Sequence, residues 1–248
     1  MTLSPAQAAG YRDEGFVVAR GMFGADEVAA WSGECDRLEQ SGVMHPDNLR
    51  THVLNSQRPP DRLDPVIDLS PVLHELAWGA RLRSLASELL GDEAALFKDK
   101  LIFKPPGARG YLAHQDYAYW HWLPVPPSAL VTVVVAFDAS TAENGAVELF
   151  GGLHDRLLTD EGRPADIADS ALPASGFLAE SRPGDVLAFH SLTPHRSGDN
   201  RTGSPRRQLF LSYCAATYGD LYRTYYDRLH ASVLDAMVPE TRARAYFR

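Results

Sequence analysis

The stretch YLAHQDYAYW, residues 111–120, places potential metal ligands among aromatic rings. His114 and Asp116 are separated by one residue, a spacing that in a β-strand points both side chains to one face, about 6.5–7 Å apart. An imidazole and a carboxylate so arranged can share one metal ion. A His-x-Asp triplet is also common by chance, and the same residues could simply decorate a strand. The triplet alone therefore leaves a metal site as one of two interpretations.

A third candidate ligand, His195, follows a predicted strand that ends in VLAFH, and His190 at the end of that strand is its rival. Two histidines and one carboxylate with open positions form the facial triad of non-haem Fe(II) oxygenases. Arg206 comes eleven residues after His195 and opens the predicted strand RRQLFLSY. Its guanidinium could hold a dicarboxylate co-substrate through a bidentate pair.

Composition narrows the class of protein. The chain has 248 residues, 45% hydrophobic and 23% charged, which is ordinary for a globular fold and unlike a disordered segment. A net charge of −8 argues against a nucleic-acid partner, which would need a basic face. Two cysteines are too few for a disulfide framework, and neither a signal peptide nor a membrane-spanning apolar run is present. We expect a cytoplasmic protein that acts on a small molecule and has no membrane partner. The sequence does not indicate the oligomeric state.

The hydrophobic pattern predicts a mainly β fold with flanking helices, in a single domain over residues 1–248. Helical patterns fill an N-terminal part of about 1–92, broken by the short strand FVVAR and by a polar loop over 43–70. From about 93 to 216 short β-rich runs alternate with turn signals, as in an antiparallel sandwich or barrel. A C-terminal helix is predicted at about 219–248. The polar residues of 43–60 could grip a substrate, or the loop could simply be solvated.

Several segments, in order, resemble one family. These are the opening LSPAQAAGYRDEGFVVARGMF, then KLIFKPPG, HQD and ENGAVELFGGLH, and finally PGDVLAFHSLTPHRSGDN with the arginine after it. Together they resemble the phytanoyl-CoA dioxygenase family of Fe(II)/2-oxoglutarate-dependent oxygenases, in its bacterial natural-product tailoring form. The resemblance implies a double-stranded β-helix (jelly-roll, cupin-like) core.

The resemblance also implies roles for single residues. Its iron ligands match His114, Asp116 and His195, and the H-x-S-x-x-N pattern favours His195 over His190. The residues that match its 2-oxoglutarate positions are Arg206, with Arg207 as a possible confusion, Ser197, Thr132 and Lys100. The assignment of Lys100 is the weakest of these, because Lys98 and Lys104 share its predicted strand face.

The chemistry implied by the resemblance is oxidative. 2-Oxoglutarate and O2 react at the iron to give succinate and CO2, and the oxidising power is spent on a nearby C–H bond. Relatives that halogenate carry a small residue in place of the carboxylate ligand. Asp116 therefore makes halogenation an unfavourable interpretation.

The substrate is the least constrained expectation. Tyr117, Tyr119 and Trp120 could form an aromatic wall, or could be core. Aromatic faces beside the iron favour a sugar-like or other small polar intermediate, hydroxylated or oxidatively cyclised in antibiotic biosynthesis. An aminophosphonate or other small-metabolite hydroxylase is the alternative, and it would need further basic residues converging on the pocket. A cupin-like metal enzyme that does not use 2-oxoglutarate is the alternative from another class, and it predicts no role for Arg206 or Ser197.

Overall fold

The computed structural model describes residues 3–51, 61–159 and 166–247, and its elements follow the predicted order. The N-terminal part contains α1 (Pro5–Glu14), β1 (Phe16–Ala19), α2 (Ala25–Gln40), β2 (Arg62–Leu63), α3 (Pro71–Trp78) and α4 (Ala80–Leu90). The β-rich part contains β3 (Ala94–Ile102), α5 (Tyr117–Trp120), β4 (Leu130–Ala136), β5 (Val147–Leu149), β6 (Phe177–Leu178), β7 (Val186–His190), β8 (His195–Ser197) and β9 (Gln208–Ala215). The chain continues through α6 (Tyr222–Ala236) and the single turn α7 (Pro239–Arg242).

The N-terminal helices begin and end where the sequence predicts. Ser4 accepts a hydrogen bond from the backbone N–H of Gln7, whose side chain accepts one from the Ser4 N–H in return, and Pro5 occupies the first helical position. Gly15 ends α1 at φ +81°, where a Cβ would lie 2.6 Å from the Thr193 hydroxyl. Gly79 separates α3 from α4.

Two antiparallel sheets form the core. The larger has the strand order β1-β7-β4-β9-β3-β2, and the smaller has the order β6-β5-β8. Alternation along each strand sends one set of side chains between the sheets and the other set outward. In β4, for example, Val134 packs in the inner cluster, whereas Val133 and Val135 pack outward against the cluster that includes α2, α3 and α4. The site therefore lies on the inner face of the larger sheet, which the outer helices hold in place.

The segment 111–120 differs from its predicted form. It is not a strand: only His114 makes a β-bridge, with His195, and the chain then turns into α5 at Tyr117. Within this turn the Tyr119 N–H bonds to the Asp116 carbonyl at 3.0 Å, a local contact that replaces strand pairing. The two ligands therefore converge through a bridge followed by a helical turn, and not through the strand spacing.

The helices of the described ranges include none long and apolar enough to cross a membrane. The C-terminal expectation of one continuous helix also changes, because α6 ends at Ala236 and Pro239 starts the separate turn α7. Pro239 lacks a backbone N–H and cannot continue a preceding helix.

Candidate metal centre

Three side chains converge on one point between the sheets. One ligand atom from each of His114, Asp116 and His195 can be chosen so that all three lie within 4.8 Å of one another. Nε2 of each histidine is 3.9 Å from Oδ1 of Asp116. The histidines are brought together by their backbones, since His114 and His195 exchange N–H···O bonds of 3.0 and 2.9 Å.

Hydrogen bonds fix which nitrogen of each histidine can bind a metal. Nδ1 of His114 lies 2.8 Å from the Leu112 carbonyl, and Nδ1 of His195 lies 3.0 Å from the Thr193 carbonyl. Because a carbonyl only accepts, each Nδ1 carries the proton and each Nε2 keeps its lone pair for a metal. Burial lowers the pKa of His195 to about 4 and also lowers that of His114. Both rings are therefore neutral at pH 7, as a ligand must be.

Asp116 supplies the anionic ligand. Burial opposes its charge, but the attraction of His195, which is protonated in the acidic range where this carboxyl titrates, and of Lys100 outweighs that effect and keeps the pKa of Asp116 below its ordinary value. The Thr132 hydroxyl donates to Oδ2 at 2.8 Å, while Oδ1 faces the two imidazoles. Two neutral nitrogens and one carboxylate oxygen are the donor set of the Fe(II) facial triad, and these residues fit it.

Arg206 is a buried cation with unused hydrogen-bonding capacity. It is 1% exposed, its guanidinium donates to the side-chain amide oxygen (Oε1) of Gln208, and its Nε has no partner among the described residues. Burial lowers the pKa of Arg206 to about 10, and within the described ranges no carboxylate lies within salt-bridge distance. Arg207, the other candidate, is bound to Asp138 at 2.8 Å and Asp36 at 2.7 Å. The geometry favours Arg206 as the partner of a co-substrate carboxylate.

The three lysines near the site have different surroundings. Lys98 pairs with Asp64 at 2.6 Å, and Lys104 donates to Ser197 at 3.1 Å. The Lys100 ammonium lies 4.9 Å from the centre of the Phe210 ring, and its charge acts on Asp116. Burial lowers the pKa of Lys100 to about 8. Lys100 is therefore the lysine that faces the triad.

The aromatic residues of α5 divide between pocket and core. Tyr119 is 42% exposed and sets its ring edge-on to His114, with the centroids 5.9 Å apart. Trp120 is 2% exposed and packs edge-to-face on Phe97, and Tyr117 packs against the same cluster. Of the three residues predicted to form an aromatic wall, Tyr119 is the one whose ring is seen to pack against a metal ligand.

Arg62 is a site residue that the sequence patterns did not reveal. It lies opposite Ile102 in the pairing of β2 with β3, so its side chain shares the face of Ile102 and Lys100. Its buried Nε has no hydrogen-bond partner among the residues described, and its charge acts on Lys100 and Tyr119. Burial opposes the charge of Arg62, but Tyr111, Asp64 and Asp61 outweigh burial and raise its pKa. The motif PPDRLD reads as a loop, and only the long-range pairing with β3 brings Arg62 to the site.

The polar loop expected to contact substrate is only partly described. His52, Asn55 and Gln57 lie outside the described residues. Asn48 donates to the Val43 carbonyl at 2.9 Å, and Arg50 pairs with Asp68 at 2.5 Å. Those two side chains stabilise the loop itself.

Comparisons with known proteins agree with this geometry. The sequence profile of the phytanoyl-CoA dioxygenase (PhyH) family matches residues 11–208. The methylphosphonate hydroxylase of Gimesia maris is 30% identical over 81% of this chain and 73% of that protein. The 2-aminoethylphosphonate dioxygenase of an uncultured bacterium is 26% identical over 87% of this chain and 83% of that protein.

A solved structure shows the same fold. EctD from S. alaskensis with 2-oxoglutarate and 5-hydroxyectoine has a TM-score of 0.77 and 28% identity, covering 87% of this chain and 77% of that one. The expected jelly-roll core is confirmed, and so is the use of iron and 2-oxoglutarate. The chain therefore belongs to the phytanoyl-CoA dioxygenase family, as an Fe(II)/2-oxoglutarate-dependent dioxygenase that binds iron through His114, Asp116 and His195.

Proposed function

We propose that the protein hydroxylates a C–H bond of a small anionic substrate of the phosphonate class. The observation that carries this proposal is a pair of basic side chains beside the iron ligands, Lys100 and Arg62, that have no carboxylate within salt-bridge distance among the residues described. Both occur in addition to Arg206, so the pocket holds more positive charge than 2-oxoglutarate alone needs.

The register of the larger sheet directs both cations inward. Lys100 lies opposite Phe210, and Arg62 lies opposite Ile102, both of which pack in the inner cluster. Asp116 attracts Lys100, and Asp64 and Asp61 attract Arg62, but among the residues described none of these carboxylates forms a salt bridge with either cation. A phosphonate group, with several acceptor oxygens, can bind both cations directly, whereas a neutral sugar offers neither of them a charge to pair with.

We assign the co-substrate to other residues of the pocket. We infer that Arg206 and Ser197 bind its far carboxylate, and that Thr132 acts on the iron through Asp116 rather than by touching the co-substrate. Lys100, which the family pattern places near 2-oxoglutarate, lies beside Asp116 on the side of Arg62. We therefore assign Lys100 with Arg62 to the substrate.

The relatives support this choice over the sugar-like one. Two of the curated proteins that the chain resembles are named for phosphonates, at 30% and 26% identity. The aromatic wall that favoured a sugar is also smaller than expected, because Trp120 packs in the core. The expectation of an oligosaccharide substrate in antibiotic biosynthesis stays a prediction with weaker support.

The test is a substrate panel read by succinate release. Methylphosphonate and 2-aminoethylphosphonate should stimulate succinate formation above the rate without substrate, and neutral sugars of similar size should not. Acetate and β-alanine serve as carboxylate counterparts of equal length. Stimulation by the sugars but by neither phosphonate would overturn the proposed substrate class.

Variants then test the two cations. Arg62→Gln and Lys100→Met should each raise the KM for the phosphonate by about 10–100-fold, the usual cost of a charge-assisted hydrogen bond. The Kd of 2-oxoglutarate should stay near the wild-type value. Arg12→Gln, which removes an exposed positive charge on α1, is the matched control and should leave both constants unchanged. A loss of 2-oxoglutarate affinity in Lys100→Met would return Lys100 to the co-substrate.

A further inference from the structure

Lys104, in the KPPG motif just after β3, combines burial with an unusual backbone. Its side chain is 0% exposed, and its φ is +35°, in the region that L-residues with a Cβ rarely adopt. Such a conformation persists only where the surrounding contacts hold it. The proposed function gives this residue no task.

The ammonium of Lys104 is held by neutral acceptors. It donates to the Gly198 carbonyl at 2.5 Å and to Oγ of Ser197 at 3.1 Å, and the Gly145 carbonyl lies at 3.4 Å. Across the described ranges no carboxylate lies within salt-bridge distance of it. The positive charge of Lys104 is therefore held in position by neutral acceptors, and no carboxylate of the described residues pairs with it.

These contacts decide where the Ser197 hydroxyl proton points. Oγ of Ser197 accepts from Lys104 and also from the backbone N–H of Tyr111, both at 3.1 Å. With both lone pairs engaged, the hydroxyl hydrogen can only be donated to a third group. The residues described include no acceptor for it, so the proton is available to a ligand.

Lys104 also fixes the backbone that carries the co-substrate arginine. Its carbonyl accepts from the Arg206 N–H at 3.2 Å and from the side-chain amide of Asn200 at 2.9 Å. One residue thus holds both Ser197, at the end of β8, and Arg206, just before β9. The two groups assigned to the far carboxylate of 2-oxoglutarate share Lys104 as their support.

We propose that Lys104 is a positioning residue for 2-oxoglutarate: its ammonium turns the Ser197 hydroxyl toward the carboxylate that Arg206 binds. This rests on the proposed assignment of Arg206 and Ser197, and is independent of the substrate. In its charged form Lys104 can only donate hydrogen bonds, so the Ser197 hydroxyl cannot donate its proton to the lysine. A neutral amine has a lone pair and could accept that proton instead.

The electrostatics agree with this role. Burial, helped by the charge of Arg206, lowers the pKa of Lys104 to about 7, while the more distant Asp199 and Asp61 oppose the shift. Two neighbouring buried cations favour the arrival of an anion. Binding of a carboxylate should therefore favour the charged form of Lys104.

A double-mutant cycle tests the proposal. The Kd of 2-oxoglutarate is measured in anaerobic Fe(II) protein from the visible metal-to-ligand charge-transfer band, for wild type, Lys104→Met, Ser197→Ala and the double variant. Each single change should weaken binding about tenfold, the cost of one good hydrogen bond, and the double variant should be no weaker than either. Fe(II) affinity should be unchanged. Arg201→Gln, which removes an exposed positive charge from the loop between Ser197 and Arg206, is the matched control and should bind 2-oxoglutarate normally.

Other outcomes separate the possible failures. Additive losses, or a normal Kd in Lys104→Met beside a weakened Ser197→Ala, would overturn the role of Lys104. Normal Kd values in both Ser197→Ala and Arg206→Met would instead overturn the carboxylate assignment.

If Lys104→Met does not fold, wild type and Ser197→Ala are compared over pH 6.5–9. The wild-type affinity should fall as pH rises above 7, and the fall should be smaller in Ser197→Ala. The groups that face Lys104 are Arg206, Asp199, Asp61 and the acceptors named above. Identical profiles in the two proteins would overturn the proposal.

Discussion

Thr132 donates its hydroxyl proton to Oδ2 of Asp116 and lies within 3.3 Å of the Ser212 hydroxyl. Because Oδ2 is engaged, the carboxylate presents Oδ1 to the iron. Outer hydrogen bonds of this kind orient ligands and raise metal affinity. Thr132 is thus a metal-orienting residue at a position where the family pattern indicates the co-substrate.

Thr132→Val keeps the shape of the side chain and removes this bond. We expect the Fe(II) affinity to fall about 10–100-fold, as for other outer-shell partners of metal ligands. The measurement is anaerobic Fe(II) titration, with Thr224→Val, an exposed position on α6, as control. Normal iron affinity with weakened 2-oxoglutarate binding would return Thr132 to the co-substrate.

His190, the rejected rival of His195, has a separate consequence for stability. Burial, with the nearby His154, lowers the pKa of His190 to about 4, and its Nδ1 accepts from the Leu192 N–H at 3.1 Å. The unfolded chain binds this proton near the ordinary pKa of about 6.5, so between the two values the unfolded state holds more protons. Acidification through this window must favour unfolding.

We therefore expect the metal-free protein to lose stability as the pH falls from 6.5 to 4. His190→Gln should lose less stability over that window than wild type. Urea unfolding midpoints in the presence of a chelator measure the difference. His74→Gln, on the exposed face of α3, is the control, and equal pH slopes in wild type and His190→Gln would contradict the explanation.

At the scale of elements, the edge strand β2 matters because it carries Arg62. The Tyr226 hydroxyl, on α6, bonds to the Asp99 carbonyl at 2.6 Å and lies 3.0 Å from Oδ1 of Asp64, whose Oδ2 pairs with Lys98. This buried network joins α6 to β3 and to the two-residue strand β2. A helix outside the iron site thus supports the strand that carries Arg62, the residue proposed to bind the substrate.

Tyr226→Phe should raise the KM for the phosphonate several-fold, because loss of the hydroxyl loosens the attachment of β2. It should also lower the free energy of unfolding by about 1–3 kcal/mol, the cost of leaving buried polar groups unpaired. The Kd of 2-oxoglutarate should not change. Tyr218→Phe, a half-exposed tyrosine before α6, is the comparison, and an unchanged KM would show that β2 is held without Tyr226.

The elements also show how much of the fold can be predicted from the sequence. Capping residues and apolar periodicity place α1, α2, α3 and α4 and most strands of the larger sheet, since these depend on local chemistry. The residues 111–120 do not form a strand, because the N–H groups of Ala118 and Tyr119 bond to carbonyls three residues earlier and close a helical turn. The sequence does not indicate that Arg62 lies near the site. Its position depends on the pairing between β2 and β3, and no local sequence pattern predicts that pairing.

At the scale of the molecule, three cations and the iron ligands come to the inner face of the larger sheet from separate elements. Arg206 approaches from the start of β9, Lys100 and Arg62 from the β3–β2 edge, and the iron ligands from β8 and the segment before α5. The family resemblance predicts the iron ligands from spacing and residue type. The proposed anion pocket could not be predicted from the sequence, because its two cations are 38 positions apart and only the folded chain brings them together.

The central claim is that iron, 2-oxoglutarate and a phosphonate react together in this pocket. The most direct measurement is the fate of 18O2 in a reaction with methylphosphonate, followed by mass spectrometry. The account predicts one labelled oxygen in succinate and one in hydroxymethylphosphonate, formed in about equal amounts. Labelled succinate beside unmodified methylphosphonate would contradict it.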